Sequence, residues 1–379
     1  MKKNKRIKIG IDARPMVEEN KDGISLYTQN LIDEMIKDDS IDFVLYFNKK
    51  QANINQSNVS NRILNGINIA WPQIRLSLDF IINRPKLDLF LSPAHSVPLY
   101  CPFKSIAVIH DLAYFKFREY FTKFDYFMLS KLTTNIAIKN ASHLIAVSKS
   151  TKNDIVKYFD IPSKKISIVY QGFNSKIYYP QNLQEINDIK IKYGIKNNYI
   201  IYVGTLQKRK NIVRLIKAFE RMKKNDKISD NLVIVGKCGW LYDEIFEIVK
   251  KLNLDKEVIF TDYVPLNDLP TLISGAKFYI LPSLYEGFGI PILEAMACKV
   301  PVIVSNTSSM PEVCQNAGLL INNPYSVEEI YQKMKRLYFD NNLRNRLSKK
   351  GLKRARDFSW EKCAQETINI IKKTIYENA

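Results

Sequence analysis

The chain of 379 residues is 46% hydrophobic and carries a formal charge of +19 at pH 7. That length exceeds one ordinary core and suits two domains of roughly 150 to 200 residues, while no apolar run approaches the ~18 residues that a membrane span needs. Five scattered cysteines (Cys101, Cys238, Cys298, Cys314, Cys363) without CxxC spacing and three histidines indicate neither a disulfide framework nor a zinc site, and the basic excess favours nucleic acid, anionic lipid or phosphorylated small molecules as partners.

The basic start MKKNKR runs into a strand-like IKIGIDA rather than an apolar secretory stretch with a cleavage site, which predicts a cytoplasmic protein. The helical pattern GISLYTQNLIDEMIK follows, opened by Gly23, where a missing side chain lets backbone approach a phosphate; one glycine is a weak signal. FVLYF, IRLSLDFIIN, LDLFLSP and SIAVIHD come next, then a long helical region, HLIAVS and ISIVYQG. Strands alternating with helices imply parallel sheet in an α/β domain, whose ligands bind outside the carboxyl ends of the strands. His95 in LSPAHSV, and His110 with Asp111 in AVIHDL, stand at such ends. A histidine there serves chemistry or simply packing. The segment Tyr114 to Leu132 interleaves aromatics with Lys and Arg. It suits either an anionic lipid surface or a helix burying its aromatic face in its own domain.

After a polar stretch around Tyr179 to Asn198, which reads as a linker, the grammar repeats with YIIYVGT, NIVRLIKAFERMKK, NLVIVG, LYDEIFEIVKKL, EVIFTDYV, LNDLPTLISGA, KFYILPS, VPVIVSN and GLLINN. The expected fold is therefore two doubly wound Rossmann-like α/β domains facing a cleft. Their expected limits are 1–178 and 179–357, with a C-terminal helix over 358–379. In GTLQKRKN, strand YIIYV ends at Gly204, and Arg209 and Lys210 stand at the mouth of a helix. Cations beside exposed helix N–H groups suit a diphosphate, and equally a solvated basic turn. In LYEGFGIPILEAMA, Pro291 marks a helix start, so Glu286 lies in the loop and Glu294 about one turn into the helix. Gly287 and Gly289 leave room for a ligand against the N–H groups of Gly287, Phe288, Gly289 and Ile290, and two carboxylates accept from paired hydroxyls. The bland alternative is an early-turn acid favoured by the helix dipole beside a surface loop acid.

Taken together, DARP, IHDL (109–112), AVSKST (146–151), VYQGFN (169–174), GTLQKRKN (204–211), YEGFGIPILEAMACKVPVIVSN (285–306) and MPEV (310–313) fall in one family's order. The chain resembles the retaining, nucleotide-sugar-dependent glycosyltransferases of family four, which have the GT-B fold; the match covers nearly the whole chain, and the E-x7-E element is its most specific part. The resemblance implies that Arg209 and Lys210 bind the donor diphosphate and stabilise the leaving group, and that Glu294 holds the ribose hydroxyls. It implies that Glu286, with the backbone of Gly287, Phe288 and Gly289, grips the transferred sugar, that His110 approaches sugar and diphosphate from the other domain, and that Gly23 touches the phosphates. The resemblance makes 1–178 the acceptor-side domain and 179–357 the nucleotide-sugar-binding one, and the last helix would cross back onto the first domain. The family's first loop usually carries three glycines, where Lys21, Asp22, Gly23, Ile24 and Ser25 supply one, and Gln171 stands where Asn is common.

The reaction implied is transfer of a hexosyl unit, mannosyl by the wording of DARP, HDL and RKN, from a nucleotide sugar to a glycan or lipid-linked glycan, in cell-surface polysaccharide or lipopolysaccharide synthesis. Retention would come from same-face attack, without cofactor or metal, since no DxD-like acidic pair is placed to hold one. An epimerase or phosphorylase of the same fold remains the second enzyme reading. A basic nucleic-acid-binding protein is the non-enzyme one, and no helix-turn-helix, zinc-finger or RNP-like pattern supports it, so no nucleic-acid partner is expected.

Overall fold

The computed structural model describes residues 6–18, 23–50, 54–66, 70–239 and 242–376. The chain forms two compact units, one of residues 1–172 with 360–379 and one of residues 173–359. The division falls six residues before the expected boundary, and packing explains the shift. Tyr178 is buried in the second unit, where it bears on Glu294. At the other end Phe358 lies edge-on to Phe288, 5.8 Å between ring centres, so residues up to Ser359 stay with that unit.

The first unit holds seven strands: β1 (Ile7–Asp12), β2 (Ile41–Phe47), β3 (Val59–Ile63), β4 (Leu89–Ser92), β5 (Lys104–Ile109), β6 (His143–Ala146) and β7 (Ile166–Ile168). They pair in parallel in the order β3-β2-β1-β4-β5-β6-β7. The central strands are buried along nearly their whole length, which is why they read as apolar runs without alternation. Only β3, at the sheet edge, has the polar sequence VSNRI and gives no apolar signal. The order reverses between β1 and β4, so their carboxyl ends open a crevice at Asp12 to Arg14 and at Pro93 to Ser96.

The region after β5 is broken rather than one long helix. Short helices at Ala113–Lys116, Lys123–Phe127 and Thr134–Asn140 alternate with a 3-10 turn at Arg118–Tyr120 and a π-helical turn at Met128–Thr133. Thr122 restarts the helix by accepting from the Asp125 N–H at 3.0 Å. The aromatic stripe divides accordingly. Tyr114 and Phe117 are buried, as the packing expectation has it, whereas Phe124 and Phe127 stand 62% and 52% exposed.

The second unit has six parallel strands: β8 (Tyr199–Val203), β9 (Asn231–Val235), β10 (Val258–Phe260), β11 (Tyr279–Leu281), β12 (Val302–Ser305) and β13 (Gly318–Ile321), in the order β10-β9-β8-β11-β12-β13. Its order reverses between β8 and β11. The helix Ile212–Asn225 covers the sheet with Ile212, Leu215, Ile216, Phe219 and Met222, the spacing of one apolar helical face. The stretch read as a linker contains a helix, Leu183–Lys192, started by a capping box in which Asn182 accepts from the Glu185 N–H at 2.9 Å. Its polar surface hides the signal, because Ile189 is its one buried side chain.

The C-terminal helix Trp360–Tyr376 packs on the helix Gly23–Met35 of the first unit. Its inner face is Trp360, Cys363, Ala364, Thr367, Ile368 and Ile371, at helical spacing, and the Trp360 ring meets Tyr27 edge-on at 5.7 Å. Since Ile371 is fully buried, Ile371→Ala is expected to lower the stability of the first unit by about 2–5 kcal/mol. Urea unfolding reads this, and an unchanged midpoint would contradict the docking.

Candidate active site

In the second unit the sequence-predicted residues converge at the carboxyl ends of β8 and β11, the switch point of the sheet. Lys208–Lys210 form a 3-10 turn after β8, and Asn211 follows in the left-handed conformation at φ 63°. Asn tolerates that conformation better than most residues. Its buried amide donates to Pro282 O at 2.9 Å and Pro324 O at 2.7 Å and accepts from Arg214 Nη1 at 3.0 Å. One side chain thus ties together the segments that follow β8, β11 and β13. The Leu284 N–H adds a bond to Arg209 O at 2.9 Å.

This framework brings Arg209, Lys210 and Glu286 into one cluster. Lys210 Nζ lies 2.7 and 2.8 Å from the two Glu286 carboxylate oxygens. Arg209 Nη1 lies 3.4 Å from Glu286 Oε2 and also donates to the Tyr285 carbonyl. Burial alone would raise the Glu286 carboxyl, yet Lys210 and then Arg209 outweigh it and hold it below the usual carboxylate range. Glu286 is therefore ionised and paired, and the cluster carries one net positive charge.

The loop after Glu286 is fixed through its backbone. The Glu286 N–H donates to Ser308 Oγ at 2.9 Å, and the Ser309 hydroxyl lies 2.9 Å from Glu286 O and 2.8 Å from Phe288 O. Gly289 caps the helix Ile290–Ala297 at φ 102°, a conformation open to glycine, and Pro291 sits in the first turn as its spacing predicts. Gly204, at φ 154°, turns the chain out of β8, and a side chain there would meet the Tyr202 hydroxyl. Phe288 contributes its backbone to the loop while its ring is buried.

Glu294 lies one turn into that helix, in a different setting. No cation is among the causes acting on it: burial pushes its carboxyl up to about 7, and the Tyr178 hydroxyl pulls the other way. Burial, then Tyr202 and the charges of Glu286 and Glu294, raise the Tyr279 hydroxyl well above its ordinary range. The site thus pairs a carboxylate locked in ionised form with one poised near neutrality.

In the first unit, His110 is buried and engaged on both nitrogens. Nε2 lies 2.7 Å from Pro93 O, which can only accept, so the proton sits on Nε2. Nδ1 then accepts from the Gln171 amide at 3.2 Å, and the Tyr27 ring meets the imidazole edge-on at 4.6 Å. Gln171, a departure from the family's pattern, is the residue that orients this histidine. Asp111 accepts from the Ala113 N–H at 3.0 Å, as a turn residue does. Gly23 opens its helix with free space around its Cα, while Lys21 and Asp22 of the same loop lie outside the described residues. Asn211, Gln171 and Tyr178 carry no chemical signature of their own, and only their neighbourhood in the fold marks them.

Comparison with known proteins shows the family of the chain. The family model for glycosyl transferases group 1 matches residues 185–354, and that for glycosyltransferase family 4 matches residues 22–176. O-antigen chain mannosyltransferase B of Escherichia coli is 32% identical over 282 residues, 73% of each chain. O-antigen chain mannosyltransferase RfbU of Salmonella typhimurium is 32% identical over 248 residues, 65% of this chain and 64% of its own. The chain spans only 33% of the serotype-specific mannosyltransferase WbdA of Escherichia coli, at 28% identity. Among solved structures, sucrose-phosphate synthase from Thermosynechococcus elongatus superposes with a TM-score of 0.77 at 19% identity, over 98% of this chain and all of its own. WaaG, a glycosyltransferase involved in lipopolysaccharide biosynthesis, gives 0.74 at 16% identity over 96% and 99%. Those two likenesses show the fold.

The raised carboxyl of Glu294 has a pH signature. The folded state holds this proton more tightly than the unfolded chain, so the stability it contributes is present below about 4.5 and is lost as pH rises through about 7. Between pH 5 and pH 8 the wild type is expected to lose of order 1–3 kcal/mol more than Glu294→Gln in urea unfolding. Equal pH slopes would contradict the assignment.

Proposed function

We propose, from the premise that the chain belongs to the family 4 glycosyltransferases of group 1 type, that it moves a hexosyl unit from a nucleotide sugar to a glycan or lipid-linked glycan with retention of configuration. The observation that carries this reading is the Arg209–Lys210–Glu286 cluster at a sheet switch point, followed by the helix that carries Glu294 in its second turn. A leaving nucleoside diphosphate gathers negative charge as the glycosidic bond breaks, and Arg209 and Lys210 place fixed cations where it develops. The backbone N–H groups from Gly287 to Ile290 add dipoles at a helix start. These groups supply the positive charge that a metal supplies elsewhere, so the reaction is proposed to need no metal or other cofactor.

Glu286 is paired with two cations and held below the usual carboxylate range, which makes it a weak nucleophile and a good acceptor for sugar hydroxyls. That supports its role in gripping the transferred hexose while the acceptor attacks from the leaving-group face. Glu294 is proposed to hold the ribose diol; both diol hydroxyls donate, so the ionised form binds better. Gly204 and Gly23 keep their proposed places beside the donor phosphates. His110, its ring held by Pro93 and Gln171, is proposed to approach the sugar and the diphosphate, as the family resemblance implies.

Mannose is the proposed hexose and GDP-mannose the first donor, supported by the printed names of the relatives at 32% identity. The same names support cell-surface polysaccharide or lipopolysaccharide as the product. No helix among the described residues is long and apolar enough to cross a membrane. Exposed Phe124 and Phe127 beside Lys123 and Lys131 support peripheral contact with an anionic leaflet from the cytoplasmic side.

A thermal-shift screen over GDP, UDP and ADP and their sugars tests the proposal, because a ligand that binds only the folded protein raises its melting temperature. One nucleotide class is expected to raise it, and Glu294→Ala to remove the effect. A flat screen, or a shift that survives in Glu294→Ala, would count against the assignment.

A further inference from the structure

His95 is a strand-end histidine that the donor site leaves without a role. It stands on the loop after β4 in the left-handed conformation, at φ 50°, which residues with a side chain seldom adopt and which persists where the surroundings impose it. The turn lets one residue bond the end of β5 twice. Its own N–H donates to Val108 O at 3.1 Å, and its ring Nε2 accepts from the His110 N–H at 3.1 Å.

The bond to the ring settles its protonation. A ring nitrogen that accepts from a backbone N–H carries no proton, so the His95 proton sits on Nδ1. Burial, with His110 adding to it, pushes this imidazole well below its ordinary value against the smaller pull of Asp111, so it stays neutral and keeps its lone pair at Nε2. His110 has the opposite tautomer, because its Nε2–H donates to Pro93 O at 2.7 Å. Pro93 is two residues before His95 on the same loop. Each histidine therefore holds the other's strand end. The His95 ring grips the His110 backbone, the His110 ring grips the loop of His95, and the ring centres are 5.2 Å apart.

Other contacts hold different atoms of His110. Thr151 Oγ1 donates to His110 O at 3.3 Å, and the Gln171 amide donates to Nδ1 at 3.2 Å. Neither positions Pro93, whose carbonyl sets the direction of the ring on its Nε2 side. The loop that carries Pro93 is tied to the end of β5 through the two bonds of His95. Without the His95 ring the His110 N–H loses this acceptor, and a buried backbone donor left unpaired is costly.

We propose that His95 is a positioning residue for hexosyl transfer: its Nε2 lone pair anchors the His110 N–H and, through the loop it shares with Pro93, gives the His110 ring one tautomer and one orientation. The inference rests on the transferase reading, which brings His110 to the sugar and the diphosphate; His95 acts through His110 alone.

Isotope-edited NMR on the full chain labelled at histidine tests it, since the sequence holds three histidines and the third, His143, is bonded to Ser167 Oγ at 2.8 Å. In the wild type near neutral pH the His95 ring is expected as the Nδ1–H tautomer and the His110 ring as the Nε2–H tautomer. His95→Phe keeps an aromatic ring without the acceptor, and in it His110 is expected to lose its single Nε2–H state. His95→Gln, whose amide oxygen reaches the place of Nε2, is expected to restore that state. Hydrolysis of GDP-mannose and UDP-glucose, which needs no acceptor, gives the kinetic reading. In His95→Phe kcat is expected to fall about tenfold to a hundredfold with KM within about twofold, and in His95→Gln to return within about threefold of wild type. The wild-type tautomers and His95→Gln decide the matter even where His95→Phe folds poorly. An Nε2–H signal for His95, an unchanged His110 signal in His95→Phe, or equal loss of turnover in both variants would each overturn the proposal. Ring signals as expected, with neither nucleotide sugar turned over by the wild type, would uphold the link between the two histidines and count against the transferase reading instead.

Discussion

A buried carboxylate must be neutralised, and in the second unit the burden falls on Glu286. Lys210 at 2.7 Å and Arg209 at 3.4 Å hold its charge, and a buried acid stripped of such partners is strongly destabilising. The geometry that keeps these three together is set by Asn211, whose amide joins the segments after β8, β11 and β13. The arrangement that makes the fold tolerate a buried acid is also the one that aims two cations at a single point. Pre-organised charge of this kind costs no rearrangement when a diphosphate leaves.

Both units solve the problem of access in the same way, each by its own sheet. In each, the strand order reverses beside the first strand, and the loops that diverge there carry the polar chemistry. The second unit sets Arg209, Lys210 and Glu286 at its crevice, and the first sets the Asp12–Arg14 pair beside the buried polar groups of His95 and Gln73. A net charge of +19 therefore says less about function than the few cations placed at a loop end.

The fold was legible where burial on both faces imposes continuous apolar runs, as in β1, β8 and β11. It was not legible where an element buries little: β3 at a sheet edge and the helix Leu183–Lys192, with Ile189 as its one buried residue. The two acids and two cations were readable because Pro291 and Gly289 mark the turn that separates Glu286 from Glu294, and because Arg209 and Lys210 follow a strand directly. Their difference in state was not, since Lys210 and Glu286 are 76 positions apart in sequence and Tyr178, which tempers Glu294, precedes the strand that begins the sheet. His110 stands at its predicted strand end, but its engagement by Pro93 and Gln171 depends on contacts that no local pattern encodes.

The central claim is a division of labour, in which Arg209 and Lys210 bind the diphosphate while Glu286 binds the hexose. Calorimetric titration of the free nucleoside diphosphate and of its sugar into three proteins measures it directly. In Lys210→Met both ligands should weaken by about tenfold or more. In Glu286→Gln the free diphosphate should bind as tightly as in the wild type or tighter, because its cations are released, and only the added affinity from the sugar should vanish. If the two substitutions weaken the free diphosphate alike, the acid and the cations act as one structural unit and the division of labour is wrong.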